Sequence, residues 1–129
     1  MGQVLIYNLP EGEKRKRLRV VLMRTGLRAR DVAPEEYGHP VGYLAGMEGF
    51  ESAEPYTGEG FRDEMLVLHD LAPGQLSALL DGLRTARATV ALKAVVTEHN
   101  ARWSSTELHA AVKEEHETMR ELRERMNKA

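Results

Sequence analysis

The chain contains no cysteine, which excludes disulfides, thiol catalysis and cysteine-ligated zinc or iron–sulfur centres and fits a reducing compartment. Aromatics are scarce, with one Trp, two Phe and four Tyr. A sheet that binds RNA offers several exposed rings on its central strands, and only Tyr7 is so placed here. Neither sign of charge is in excess, since 18 Lys and Arg face 20 Asp and Glu; a dedicated nucleic-acid binder needs a basic surplus to meet phosphates. No apolar run is long enough to span a bilayer. Met1 to Leu9 leads straight into Pro10 without the layout of a signal peptide. The expectation is a cytoplasmic protein with no membrane and no nucleic-acid partner.

What is present is 129 residues, 42% hydrophobic and 29% charged, the size and make-up of a single domain spanning 1–129. Its organising stretch runs from Val90 through Thr97 to Trp103 and Leu108. A β-branched, alternating run gives way to a polar turn and then to a helix start. Ser104 and Glu107 have the spacing of a capping box, and Trp103 and Leu108 that of a hydrophobic staple.

The chain in order opens on a strand at Gln3 to Asn8. Pro10, Glu11 and Glu13 favour a helix from there to about Thr25, stopped by Gly26, with Leu18, Val21 and Leu22 facing inward. Lys14, Arg15, Lys16, Arg17 and Arg19 crowd its first half. They read as a solvated face, with an anion site as the alternative. Val20 and Met23 lie opposite the inward stripe with no obvious partner. Leu27 to Ala33 alternates as a half-exposed strand. From Pro34 to Arg62 come six glycines and three prolines, with Val41 to Gly46 apolar enough for one or two helical turns. The 47–63 stretch is a glycine-rich acidic loop, read as mobile surface, with a lid as the alternative. Glu64 to His69 is the third strand. Leu71 to about Ala86 is the second long helix, with Leu76, Leu79, Leu80 and Leu83 inward.

The halves 1–46 and 64–129 repeat. Val4 to Leu9 superposes on Leu66 to Leu71, and Leu27, Ala29 and Val32 fall on Val90, Leu92 and Val95. Two strand–helix–strand units predict an α+β, ferredoxin-like sandwich (β-α-β-β-α-β) with an antiparallel sheet ordered 4-1-3-2 and a long C-terminal helix. Period-two reading sends Val4, Ile6, Leu27, Ala29, Leu66, Leu68, Val90, Leu92 and Ala94 toward the helices. The other face takes Leu5, Tyr7, Arg28, Arg30, Val32, Met65, Val67, His69, Ala91, Lys93 and Val95. It is too apolar to stand in water, so the C-terminal helix, the Val41 to Gly46 segment or a second subunit must cover it.

Candidate ligand-binding residues are Tyr7, Arg30, His69, Lys93, Thr97, Asn100 and Trp103. None completes a nucleophile–base–orienter set. Lys93 is a candidate base or Schiff-base amine, with pairing to Glu115 or a loop acid the plainer reading. Thr97 and Asn100 also suit simple turn-holding. His109 and His116 share a helix face seven residues apart, the wrong spacing for a metal pair. Gly58 and Gly60 lack the helix and lysine of a phosphate loop.

Glu64 to Leu68, Leu92 to Trp103 and Glu114 to His116, with Gly42 to Gly46 upstream, resemble an uncharacterised bacterial family, domain of unknown function 3783. The resemblance places the family's domain over roughly Glu64 to His116 and the first half as an N-terminal extension. It implies no activity, cofactor or substrate. The expectation is a non-enzymatic ligand-binding or regulatory module, with a small anionic ligand near Arg28, Arg30 and Lys93. The alternative is a small enzyme whose pocket holds Lys93, His69, Thr97 and Asn100. Leu108, Val112, Glu115, Met119, Leu122 and Met126 are spaced as a coiled-coil seam, which predicts a homodimer through the C-terminal helix or the open sheet face.

Overall fold

A computed structural model describes residues 2–128; Met1 and Ala129 lie outside the described residues. Strand β1 (Gln3–Tyr7), helix α1 (Glu13–Arg24) and strand β2 (Arg28–Val32) make the first unit. A 3-10 turn (Pro34–Glu36), the short helix α2 (Val41–Leu44) and the 47–63 loop lead to β3 (Met65–His69). Helix α3 (Gln75–Thr85), β4 (Leu92–Val95), a second 3-10 turn (Asn100–Arg102) and α4 (Ser105–Lys128) complete the chain.

The fold is α+β with a four-stranded mixed sheet and a long C-terminal helix. The sheet order is β2-β1-β3-β4, with β1/β2 and β3/β4 parallel and β1/β3 antiparallel at the centre. This corrects the expected ferredoxin-like order 4-1-3-2 and its wholly antiparallel sheet. The connection from α1 to β2 is short, with Gly26 at φ 72°. The amide of Leu27 bonds back to Leu22 O, and the chain drops into the adjacent position rather than skipping a strand. A helix crossover between neighbouring strands makes them parallel.

Both faces of the sheet are covered. Val4, Ile6, Leu66 and Leu68 pack with Leu18, Val21, Leu22, Leu79 and Leu83 under α1 and α3. Leu5, Tyr7, Val32, Met65 and Val67 pack with Tyr37, Val41, Leu44 and Leu108, so the chain's own α2 and the first turns of α4 cover the second face. The two lids are stitched together by an isolated bridge between Pro40 and Ser104 and by Val41 N–H donating to Trp103 O at 2.8 Å.

Several residues depart from the expected faces. A bend at Ala91 flips the alternation, so Leu92 and Ala94 join the second layer. Lys93 then pairs across from Leu66 and Val95 from Leu68, on the side of α3. Ala29 is exposed on the edge strand β2. Leu76 and Leu80 are also exposed, because α3 is centred on α1 and its outer flank overhangs β4, the other edge. The basic run on α1 is an ion-paired surface: Lys14 meets Glu64 at 2.6 Å, Arg17 meets Glu13 at 3.6 Å and Arg19 meets Glu11 at 2.7 Å.

Candidate functional site

The polar turn after β4 is built from its own side chains. Thr97 N–H donates to Asn100 Oδ1 at 2.8 Å, and Asn100 N–H donates to Thr97 Oγ1 at 3.1 Å. Asn100 Nδ2 donates to Val95 O at 3.0 Å. This reciprocal pair fixes the turn and leaves the amide of Asn100 little capacity for a ligand. The capping box then starts α4: Ser104 N–H donates to Glu107 Oε1 at 3.0 Å and Glu107 N–H to Ser104 Oγ at 3.3 Å. Trp103 and Leu108 pack into the same cluster, and His99 meets the Trp103 ring edge-on at 5.2 Å.

Between β4, this turn and α4 lies a cleft of about 370 Å3 lined by Lys93, Asn100, Trp103, Leu108, Val112 and Glu115, among others. Its cation is the half-buried Lys93 and its anion Glu115. The Lys93 ammonium donates to Val90 O, and burial holds its pKa below the ordinary lysine value of 10.5. The plainer expectation of a Lys93–Glu115 ion pair is not met; the two line the same cleft without bonding.

The remaining candidates lie elsewhere. Tyr7 is fully buried, and its hydroxyl shares a 2.7 Å hydrogen bond with Ser105 Oγ. Burial pushes its pKa up to about 12. Arg30 donates to Leu44 O at 3.1 Å and to Glu36 Oε2 at 2.9 Å. His69 Nδ1 meets Gln3 Nε2 at 3.3 Å, and Gln3 in turn donates to Ala45 O. Arg30 and Gln3 thus satisfy carbonyls at the end of α2, a structural task. Arg28 and Arg30 on β2 stand three strand spacings from Lys93 on β4, about 14 Å. The two arginines and Lys93 therefore belong to opposite edges of the sheet. Of the seven candidates, Lys93, Asn100 and Trp103 share one cleft.

A second cluster carries no signal in the sequence beyond aromatic rings set in a glycine-rich segment. Phe61 stacks on His109 with centroids 3.9 Å apart, and on Tyr37 at 4.6 Å. His109 Nε2 meets Asp63 Oδ2 at 2.8 Å and Lys113 Nζ reaches the same oxygen at 3.3 Å. The His109 hydrogen bond, followed by Lys113, lowers the Asp63 pKa below the ordinary 3.8. With Asn8 Nδ2 donating to Phe61 O and Asp63 O, the end of the acidic loop is fastened to α4 and β1. Another concavity, about 690 Å3, is a groove between α1 and α3 lined by Val21, Ala78, Gly82 and Ala86, among others.

The second half of the chain now has a site and a boundary. Residues 64–119 match the family model of a domain of unknown function (DUF3783). The DUF3783 segment takes in β3, α3, β4, the capped turn and the first part of α4, so the Lys93–Trp103 cleft lies wholly inside it. No curated protein and no solved structure matches the chain. Among the described residues no group of His, Cys, Asp or Glu is arranged to hold a metal ion, and no helix is long and apolar enough to cross a membrane.

Proposed function

We propose that this protein is a non-catalytic binding module of the cytoplasm, and that its ligand is a small organic anion with a flat apolar body, held in the cleft between β4 and α4. The observation that carries this reading is Lys93, a half-buried ammonium that lines the cleft together with Trp103 and, among the described residues, has a backbone carbonyl as its one hydrogen-bond partner. Burial without a counter-ion disfavours the charge, and a carboxylate ligand would restore it. Trp103, Leu108 and Val112 offer an apolar wall, and the volume lies within the range of small-molecule sites. Glu115 at the same cleft would repel ligands with more than one negative charge. The catalytic alternative is less well supported, because His69 and Thr97 do not line the cleft.

Thermal shift with benzoate, indole-3-acetate and their uncharged amides tests the reading. A ligand at about 100 times its Kd stabilises by about 2.7 kcal/mol, so the carboxylates should raise Tm, the amides should not, and Lys93→Met should abolish the shift. No shift with any carboxylate, or an equal shift in Lys93→Met, overturns it.

A further inference from the structure

The second half of α4 has nothing beneath it. The helix is 24 residues long, about 36 Å, whereas strands of four or five residues span at most about 17 Å. Its apolar stripe starts on the sheet, where Leu108 is buried and Val112 packs against the second layer. It passes the start of β4, where Met119 and Arg123 border a hollow with Ala91 and Lys93. Met119, Leu122 and Met126 then continue the stripe in the open. On the other side of Lys93, Leu76, Leu80 and Val95 rim a second hollow at the end of β4. These six side chains are 38% to 69% exposed and lie along one edge of the molecule. Scattered exposed apolar residues are ordinary; a contiguous run of them marks an interaction surface.

We infer that this edge is an interface with a second copy of the chain, formed by the two α4 arms crossing antiparallel. Three features single out that occupant. First, the stripe keeps its 3, 4 spacing past the sheet, as one helix needs to interdigitate with another. Second, the arm is divided in charge: Glu114, Glu115 and Glu117 precede a net basic stretch with Arg120, Arg123, Arg125 and Lys128. A two-fold axis across the arm sets the acidic part of each helix against the basic part of the other, and relieves Glu115 of its place in an otherwise apolar seam. A parallel pair would set like against like. Third, the exposed Leu76, Leu80 and Val95 adjoin the same β4 edge, sharing Lys93 with the hollow at Met119, and offer further apolar surface to a second copy. A specific interface needs about 1,200 Å2 or more, more than two short arms bury alone, and this adjoining patch extends it. The β4 edge is poorly suited to another strand, because Lys93 sits mid-strand and Asn100 occupies Val95 O, so the partner arrives as a helix. This inference stands apart from occupancy of the cleft, because Leu122 is not among the cleft's lining residues and Leu122→Glu should leave the carboxylate response unchanged.

Light scattering of the full chain tests it. The intact protein should be a dimer, and Leu122→Glu, which sits on the two-fold stripe twice per dimer, should raise the dimer Kd by roughly 100-fold or more. Circular dichroism at high concentration should show that variant still folded, since Leu122 is exposed in the single chain. A monomer at all concentrations overturns the inference, as does a Leu122→Glu protein that dimerises like the parent. Because the chain has no cysteine, single replacements Met119→Cys, Leu122→Cys and Met126→Cys report geometry under oxidation. Antiparallel arms cross-link only near the axis, at Met119 or Leu122, and not at Met126. Equal cross-linking at all three positions indicates parallel arms and overturns the arrangement.

Discussion

Phe61 and His109 stack face to face, their ring planes 3° apart and their centroids 3.9 Å apart, and this contact decides whether the acidic loop is free or tethered. The loop reaches α4 through Phe61 and Asp63, while Tyr56 N–H donates to Glu35 O at 2.9 Å and Ala53 N–H to His39 Nδ1 at 2.8 Å. Replacing His109 by Ala removes both the stack and the Asp63 hydrogen bond. The expected outcome is local opening without global unfolding: a protease that cuts within 51–60 should act at least about tenfold faster, with Tm lowered only a few degrees. Unchanged cleavage would mean that the Tyr37 and Asn8 contacts hold the loop alone.

The same tether is sensitive to acid. Asp63 is held below its ordinary 3.8 by His109 first and Lys113 second. A depressed carboxyl pKa stabilises the folded state fully above its unfolded value, and the stabilisation is lost as pH falls through the folded value. Loop cleavage should therefore stay constant from neutral pH down to about 4 and rise below it, read with an acid-active protease. Asp63→Asn should cleave at the fast rate at every pH, because its amide cannot form the ion pair.

Arg15 is buried, and both of its terminal nitrogens are hydrogen-bonded. Nη1 and Nη2 reach Asp31 Oδ1 and Oδ2 at 2.6 and 2.7 Å, and Nη1 also reaches Leu9 O at 3.1 Å. The planar guanidinium joins α1, β2 and the end of β1 in a way an ammonium cannot. Chemical denaturation should show Arg15→Lys costing about 1 kcal/mol and Arg15→Ala about 2 kcal/mol, the larger loss including the apolar stem and the orphaned Leu9 carbonyl. A cost near zero for both would mean that water replaces the fork without penalty.

The layers of this fold are legible in its sequence because Val4, Ile6, Leu66 and Leu68 alternate with Leu5, Tyr7, Met65 and Val67, and a strand's period of two sends the sets to opposite faces. The helix start at Ser104 is equally legible, since a capping box is a local device. Strand order is not. Periodicity states which way a side chain points and nothing about which strand lies beside it, so a crossover to the neighbouring strand and one that skips a strand read alike. The single bend at Ala91 shows how a local deviation defeats the pattern: Leu92 and Lys93 exchange faces, and the lysine read as lying on the face away from the two long helices sits at the open edge, bordering hollows on both sides of it. The Phe61–His109–Asp63 tether escapes for another reason. It joins residues about 46 positions apart, and no periodicity links a loop to a helix face.

Tyr7 and Ser105 offer the sharpest energetic test, because both are fully buried and each supplies the other's hydrogen bond at 2.7 Å. Ser105→Ala leaves the Tyr7 hydroxyl buried without a partner, which should cost about 1–3 kcal/mol, whereas removing both polar atoms in Tyr7→Phe with Ser105→Ala should cost less than the two single changes added together. The coupling should be of order 1 kcal/mol in a denaturation cycle; additivity would show that the hydroxyls find other partners. The pair also sets an alkaline limit. Burial raises the Tyr7 pKa to about 12 from 10.0, so the folded state holds its proton more tightly than the unfolded chain. That contribution is fully present below pH 10 and is lost as pH rises toward 12. Absorbance of tyrosinate should show Tyr7 silent through pH 10 and ionising only as the protein unfolds, while Tyr7→Phe should unfold at a higher pH than the parent once both are compared at equal neutral stability. If Tyr7 titrates at its ordinary value in the folded protein, water reaches it and the second layer is looser than its burial indicates.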